Sequence, residues 1–144
     1  NVALLERRIE GHFITLTCGV WEARTRSLRL ATAGMPLPIL VRRGHSQSIR
    51  AEGVPLGLLS QSDYQEVSLT LEKGDLLAIF SDGIVEANTR EDEEFGTRRL
   101  ENLLREHAQK PLAQIIEAIF TQLARFEQGR PRRDDQTLLL VRAK

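Results

Sequence analysis

Leu76-Leu77-Ala78-Ile79-Phe80-Ser81-Asp82-Gly83 and Arg133-Asp134-Asp135-Gln136-Thr137-Leu138-Leu139-Leu140-Val141 decide how this chain is read. Each joins an apolar run, with the length and composition of a buried strand, to an aspartate. The aspartate follows the strand in the first stretch and precedes it in the second. If the strands run antiparallel, Asp82 and Asp134 arrive at the same end of one sheet. Two carboxylates placed there form a hard-oxygen pair suited to magnesium or manganese. Taken singly, each motif is ordinary turn chemistry, because Asp and Gly supply turn geometry in many settings. The pairing gives them a common meaning.

Working outward, Val67, Leu69 and Leu71 alternate with Ser68 and Thr70, which predicts a strand with one wet face, whereas Leu76 to Phe80 is apolar on both faces and belongs inside a sheet. Ile14, Leu16, Cys18 and Val20 alternate in the same way, with Ser27 to Ala33 as the hairpin partner. Pro36 and Pro38 precede a further strand at Ile39 to Arg42. Glycine, serine and proline punctuate Gly44 to Asp63 into short strands and turns. Val2 to Leu5 with Ile9 reads as a helix tail stopping at Gly11. A polar loop at Asn88 to Glu94 precedes a short helix marked by Leu100, Leu103 and Leu104. A longer helix follows Pro111 and ends near Gly129, with Leu112, Ile115, Ile116, Ile119, Phe120, Leu123 and Phe126 along one face. That stripe is core, since a helix covering a sheet must bury one face. The fold class is therefore α+β.

The 144 residues with 41% hydrophobic content suffice for one domain or most of one. Twenty basic and twenty acidic residues give zero formal net charge, so nothing predicts broad attraction to nucleic acid or to an anionic membrane. Cys18 is the single cysteine and has no internal disulfide partner; its place in an alternating strand predicts a small buried side chain, and this disfavours cysteine-based phosphate chemistry. No apolar stretch approaches the roughly 18 residues of a membrane helix. A cytoplasmic location is expected.

Several blocks occur in a telling order: Phe13-Ile14-Thr15-Leu16-Thr17 with Gly19-Val20; Ala31-Thr32-Ala33-Gly34; Gly53-Val54-Pro55-Leu56-Gly57; Gly74-Asp75; Ser81-Asp82-Gly83-Ile84-Val85-Glu86-Ala87; Phe95-Gly96; and Asp134-Asp135-Gln136-Thr137. From about residue 11 to the end, the chain resembles the SpoIIE/RsbU-like branch of the metal-dependent PPM-type serine/threonine phosphatases. The resemblance implies an αββα four-layer sandwich with antiparallel sheets. It also implies that Asp82 and Asp134 are metal ligands and thereby the catalytic pair, serving Mn2+ or Mg2+, two ions in the complete domain. Asp135 becomes a supporting or structural residue, Glu86 is read either as a supporting acid or as a solvated, helix-start glutamate, and Gly83 lets the backbone turn away from the metal without a side-chain clash. Family members carry an Asp-x-x-Gly-His-Gly segment upstream of the first strand. This sequence opens at Asn1, beyond that point, so residues 1–144 are expected to be the C-terminal part of one such domain.

The implied activity is hydrolysis of phosphoserine or phosphothreonine on a partner protein in bacterial signalling, with a phosphorylated anti-sigma-factor antagonist of the STAS type as substrate. A homodimer is among the assemblies this allows. The fragment alone could be inactive, and the alternative is a noncatalytic protein-interaction or regulatory module that keeps the phosphatase fold. Where many relatives have Ala-Gly-His-Asn-Pro, this chain has Ala33-Gly34-Met35-Pro36-Leu37. His12, His45 and His107 lack metal-ligand spacing and are assigned surface or packing roles. Arg130, Arg132 and Arg133 are read first as a solvated basic loop that partly offsets nearby carboxylates and second as groups that orient a phosphorylated protein, and Glu91-Asp92-Glu93-Glu94 first as a solvated acidic loop and second as a docking or accessory-metal element.

Overall fold

The computed structural model describes residues 1–6 and 12–144. In chain order the elements are α1 (Val2–Glu6), β1 (Leu16–Glu22), β2 (Ser27–Ala33), β3 (Ile39–Arg42), β4 (His45–Ser48), β5 (Val67–Thr70), β6 (Leu76–Phe80), α2 (Asp82–Val85), α3 (Gly96–His107), α4 (Leu112–Glu127) and β7 (Leu138–Arg142). Both sheets are antiparallel, and the class is α+β as expected. Ile9 and Gly11, read as the end of the first helix, lie outside the described residues. Among the described residues no helix is long and apolar enough to cross a membrane.

The chain divides into two compact units. The first comprises Asn1–Leu37 and Ile49–Leu71, and its sheet has the order β1-β2-β5. Leu28 and Leu30 of β2 are buried, and a Cβ on Gly19 of β1 would meet the Leu30 side chain at 3.0 Å. Gly34 follows β2 with a positive φ, and a Cβ there would lie 2.5 Å from Pro55 Cγ, so both the backbone shape and the close approach require glycine. Cys18 is exposed, not buried as its alternation predicts. It sits on the edge strand β1, and period-two patterning reports which residues share a face without reporting whether anything covers that face.

The second unit comprises Pro38–Ser48 and Glu72–Lys144 and carries the sheet β4-β3-β6-β7. Ile39, Val41, Leu76, Ala78, Phe80 and Leu140 pack with Leu100 and Leu104 of α3 and Ile115, Ile119 and Leu123 of α4 in one hydrophobic core. The helical stripe is thus core. Each of the five helical side chains is fully buried and contributes about 1.5–3 kcal/mol of apolar transfer, an upper estimate. Pro111 caps α4 from outside its first turn, and the chain leaves the helix at Gln128, which takes a left-handed φ one residue before Gly129 does.

β6 runs between β3 and β7, as an apolar strand without a wet face should. β7 departs from its reading as a buried strand. It closes one side of the sheet, Leu140 is buried, and Leu139 and Val141 are 54% and 40% exposed. At the start of β6, the buried carboxylate of Asp75 accepts hydrogen bonds from the Arg42 guanidinium at 2.5–3.0 Å and from the Glu72 N–H at 2.7 Å. This fixes the entrance to the strand that leads to Asp82.

Candidate functional site

β6 and β7 pair antiparallel with Phe80 opposite Leu138, so the residues just after β6 and just before β7 share one sheet end. Ser81 extends this register beyond the strands. Its N–H donates to the Thr137 carbonyl at 3.0 Å, its Oγ accepts from the Thr137 N–H at 2.9 Å, and its hydroxyl donates to the Asp135 carbonyl at 2.8 Å. One side chain therefore locks the segment carrying Asp134 and Asp135 against the segment carrying Asp82.

Asp82 is half-buried and begins the single turn α2; its Oδ1 accepts from the Gly83 N–H at 3.0 Å. Asp134 is exposed, and its Oδ1 accepts from the Asp135 N–H at 2.7 Å. The antiparallel arrangement expected for the two aspartates is present, on adjacent backbones. The freedom from a side-chain clash expected at Gly83 is needed against backbone. Its φ is not positive, so it makes no left-handed turn. Instead, a Cβ at Gly83 would lie 2.6 Å from the Asp135 carbonyl oxygen and 3.3 Å from the Asp134 carbonyl carbon. Glycine is required because the two chain segments nearly touch.

Asp135 contributes through its main chain, with its carboxylate exposed. Glu86 is exposed, follows α2 as its cap, and lines a cleft of about 90 Å3 together with Gly83, Glu94, Glu127, Arg133 and Asp134. Glu127 is 7% exposed and accepts from Gln136 Nε2 at 2.6 Å, pinning the end of α4 to the segment after Asp134. Among the described residues no three or more His, Cys, Asp or Glu side chains form a group able to hold a metal ion. The donor chemistry at the sheet end suits a hard divalent cation, but the two aspartates amount to part of a ligand set. None of the three histidines lines the cleft.

Two of the three arginines before Asp134 are not simply solvated. Arg130 and Arg133 converge on Asp92 Oδ1 at 2.9 and 2.8 Å. The Arg130 hydrogen bond, helped by the charges of both guanidiniums, holds the Asp92 carboxyl below the usual carboxylate range. Ser81, Gln136, Glu127 and Asp92 are the residues that sequence reasoning did not assign to the site. Ser81 carried a signal, a hydroxyl directly after a buried strand. Asp92 acts through arginines 38 and 41 residues away, and Glu127 and Gln136 act through each other.

The family model for stage II sporulation protein E (SpoIIE) matches residues 1–144. The phosphoserine phosphatase RsbU of Bacillus subtilis is 31% identical over 67% of this chain and 28% of its own length. The chain spans between 17% and 28% of the length of the curated relatives it matches. Among solved structures, the SiaA-PP2C domain of Pseudomonas aeruginosa superposes with a TM-score of 0.75 at 28% identity, covering 84% of this chain and 48% of that one. The manganese-presoaked phosphatase domain of Bacillus subtilis SpoIIE gives a TM-score of 0.72 at 21% identity, over 89% of this chain and 56% of that one, a likeness of fold. These neighbours share the α+β fold of PP2C domains. With a match over its whole length, the chain belongs to the SpoIIE family.

Proposed function

We propose that this chain is the C-terminal part of a PPM-type phosphatase domain that hydrolyses phosphoserine or phosphothreonine on a partner protein, with Asp82 and Asp134 as ligands of Mn2+ or Mg2+. The observation that supports the proposal is the Ser81 lock, which ties the segment that carries Asp134 to the segment that carries Asp82. A phosphate monoester dianion repels an attacking nucleophile; a bound divalent ion neutralises that charge and acidifies a bound water. The residues here prepare for such an ion. The Gly83 and Asp135 N–H groups each orient one carboxylate, and Gly83 lets the two carriers approach. The remaining ligands come from outside the described residues, in keeping with a domain of which this is one part. The named activity of RsbU supports the substrate class, and the manganese presoak of the SpoIIE domain supports the ion. A STAS-type antagonist of an anti-sigma factor, in the cytoplasm, fits that setting.

The lack of a three-ligand group among the described residues favours, for the chain by itself, the second reading of a noncatalytic regulatory module. One experiment separates the two. The full-length protein is assayed with Mn2+ on a phosphoserine peptide, alongside its Asp82→Asn and Asp134→Asn variants. Mn2+-dependent release of phosphate that falls at least about a hundredfold in both variants supports the enzyme. No turnover in the wild type supports the module.

A further inference from the structure

Between Arg130 and the Ser81–Thr137 pairing, no main-chain hydrogen bond fixes the loop that carries Asp134, among the described residues. Side chains hold it instead. Ser81 anchors it on the C-terminal side of Asp134, and Arg133, the residue just before Asp134, anchors it to Asp92. Gln136, bonded to Glu127 at 2.6 Å, adds to the hold on the Ser81 side, so Asp134 sits between side-chain anchors.

The Asp92 anchor is built on a stiff base. Thr89 is buried, its Oγ1 accepts from the N–H groups of Glu91 and Glu93 at 3.3 Å each, and its N–H donates to the Glu93 carbonyl at 3.0 Å. The Asp92 N–H returns to the Thr89 carbonyl at 3.2 Å, with Asp92 at a left-handed φ of 61°. Arg130 spans the two loops. Its guanidinium donates to both the Thr89 carbonyl and Asp92, and its N–H donates to the Glu127 carbonyl at the end of α4. An isolated exposed ion pair contributes little. Here one acceptor takes two guanidiniums, one of them on a mostly buried side chain, and joins a folded turn to a loop without main-chain bonds of its own.

We propose that Asp92 is a positioning residue for Asp134, acting through Arg133 and Arg130, so that the acidic loop sets the affinity of the metal centre. This rests on the reading of Asp134 as a metal ligand. The test is Mn2+ titration of the full-length protein and of its Asp92→Asn, Arg133→Gln, Asp92→Asn/Arg133→Gln and Asp82→Asn variants, with thermal unfolding and amide exchange of residues 132–136 measured beside it. Asp92→Asn should weaken Mn2+ binding about tenfold, the low end for a group that orients a ligand. It should speed exchange in residues 132–136 and barely move the midpoint of unfolding. The double variant should bind no more weakly than Asp92→Asn alone, because both substitutions open one contact. An Asp92→Asn affinity within about threefold of wild type, or additive losses in the double variant, overturns the proposal. If Asp82→Asn also binds Mn2+ as wild type does, the metal reading beneath it fails; if Asp82→Asn loses binding while Asp92→Asn keeps it, only the Asp92 role falls.

Discussion

Gly83→Ala sets two opposing effects against each other. Gly83 lies in the single turn α2 at a φ that is not positive, so intrinsic propensity favours alanine by up to about 1 kcal/mol. Against this, the new methyl would stand 2.6 Å from the Asp135 carbonyl oxygen, where ordinary contact begins near 3.4 Å. The obstacle is backbone held by Ser81, not the yielding tip of a side chain, so the Asp134–Asp135 segment must retreat by about 0.8 Å, the difference between those distances. Overpacking of this kind costs about 1–3 kcal/mol, so set against propensity a net loss of about 1 kcal/mol is expected. The functional loss should be larger in proportion, because a misplacement near 1 Å costs on the order of a hundredfold in rate. Urea unfolding of the full-length protein, with Mn2+-dependent turnover of an aryl phosphate, reads both. An alanine variant as stable and as active as wild type would refute the close approach of the two strand-end segments.

Other outcomes follow from the same structure. Asp75→Ala removes a buried carboxylate that accepts from Arg42 and from the Glu72 N–H; it should cost about 3 kcal/mol, seen as a fall of roughly 10 °C in the midpoint of thermal unfolding. Replacing His12, His45 or His107 one at a time should leave turnover near wild type, since none lines the cleft beside Asp134; a collapse in rate without unfolding would count against the assignment. Asp92 is held below its usual 3.8 chiefly by its hydrogen bond to Arg130, so it contributes stability that is fully present above that value and is lost as pH falls through the lowered one. Amide exchange in residues 132–136 should accordingly stay flat from pH 7 to about 5 once corrected for intrinsic chemistry, and rise with added salt.

The fold was legible where the signal is local. Leu76 to Phe80 shows no polar face and occupies the sheet interior; the Leu112 to Phe126 stripe fixes α4 as a core helix; Val67 to Leu71 alternates and has one exposed face. Readings that depended on what lies across from a residue fared worse. Cys18 and β7 have the patterns of covered strands, yet Cys18 is exposed and β7 is open along Leu139 and Val141, because each lies on an edge strand. The site divided in the same way. Strand direction put the segments that carry Asp82 and Asp134 at one sheet end, but the need for glycine at Gly83 lies in a backbone more than fifty residues away, at Asp135. Asp92 pairs with arginines 38 and 41 residues downstream, and a run of acids beside a run of bases gives no hint of which one is shared.

The most direct test of the metal assignment is anomalous scattering at the manganese edge from crystals of the full-length protein grown with Mn2+. A peak is predicted within a typical hard-cation bonding distance, about 2.1 Å, of a carboxylate oxygen of Asp82 and, at that ion or a neighbouring one, of Asp134. Manganese bound elsewhere, with both carboxylates free of it, would contradict the account.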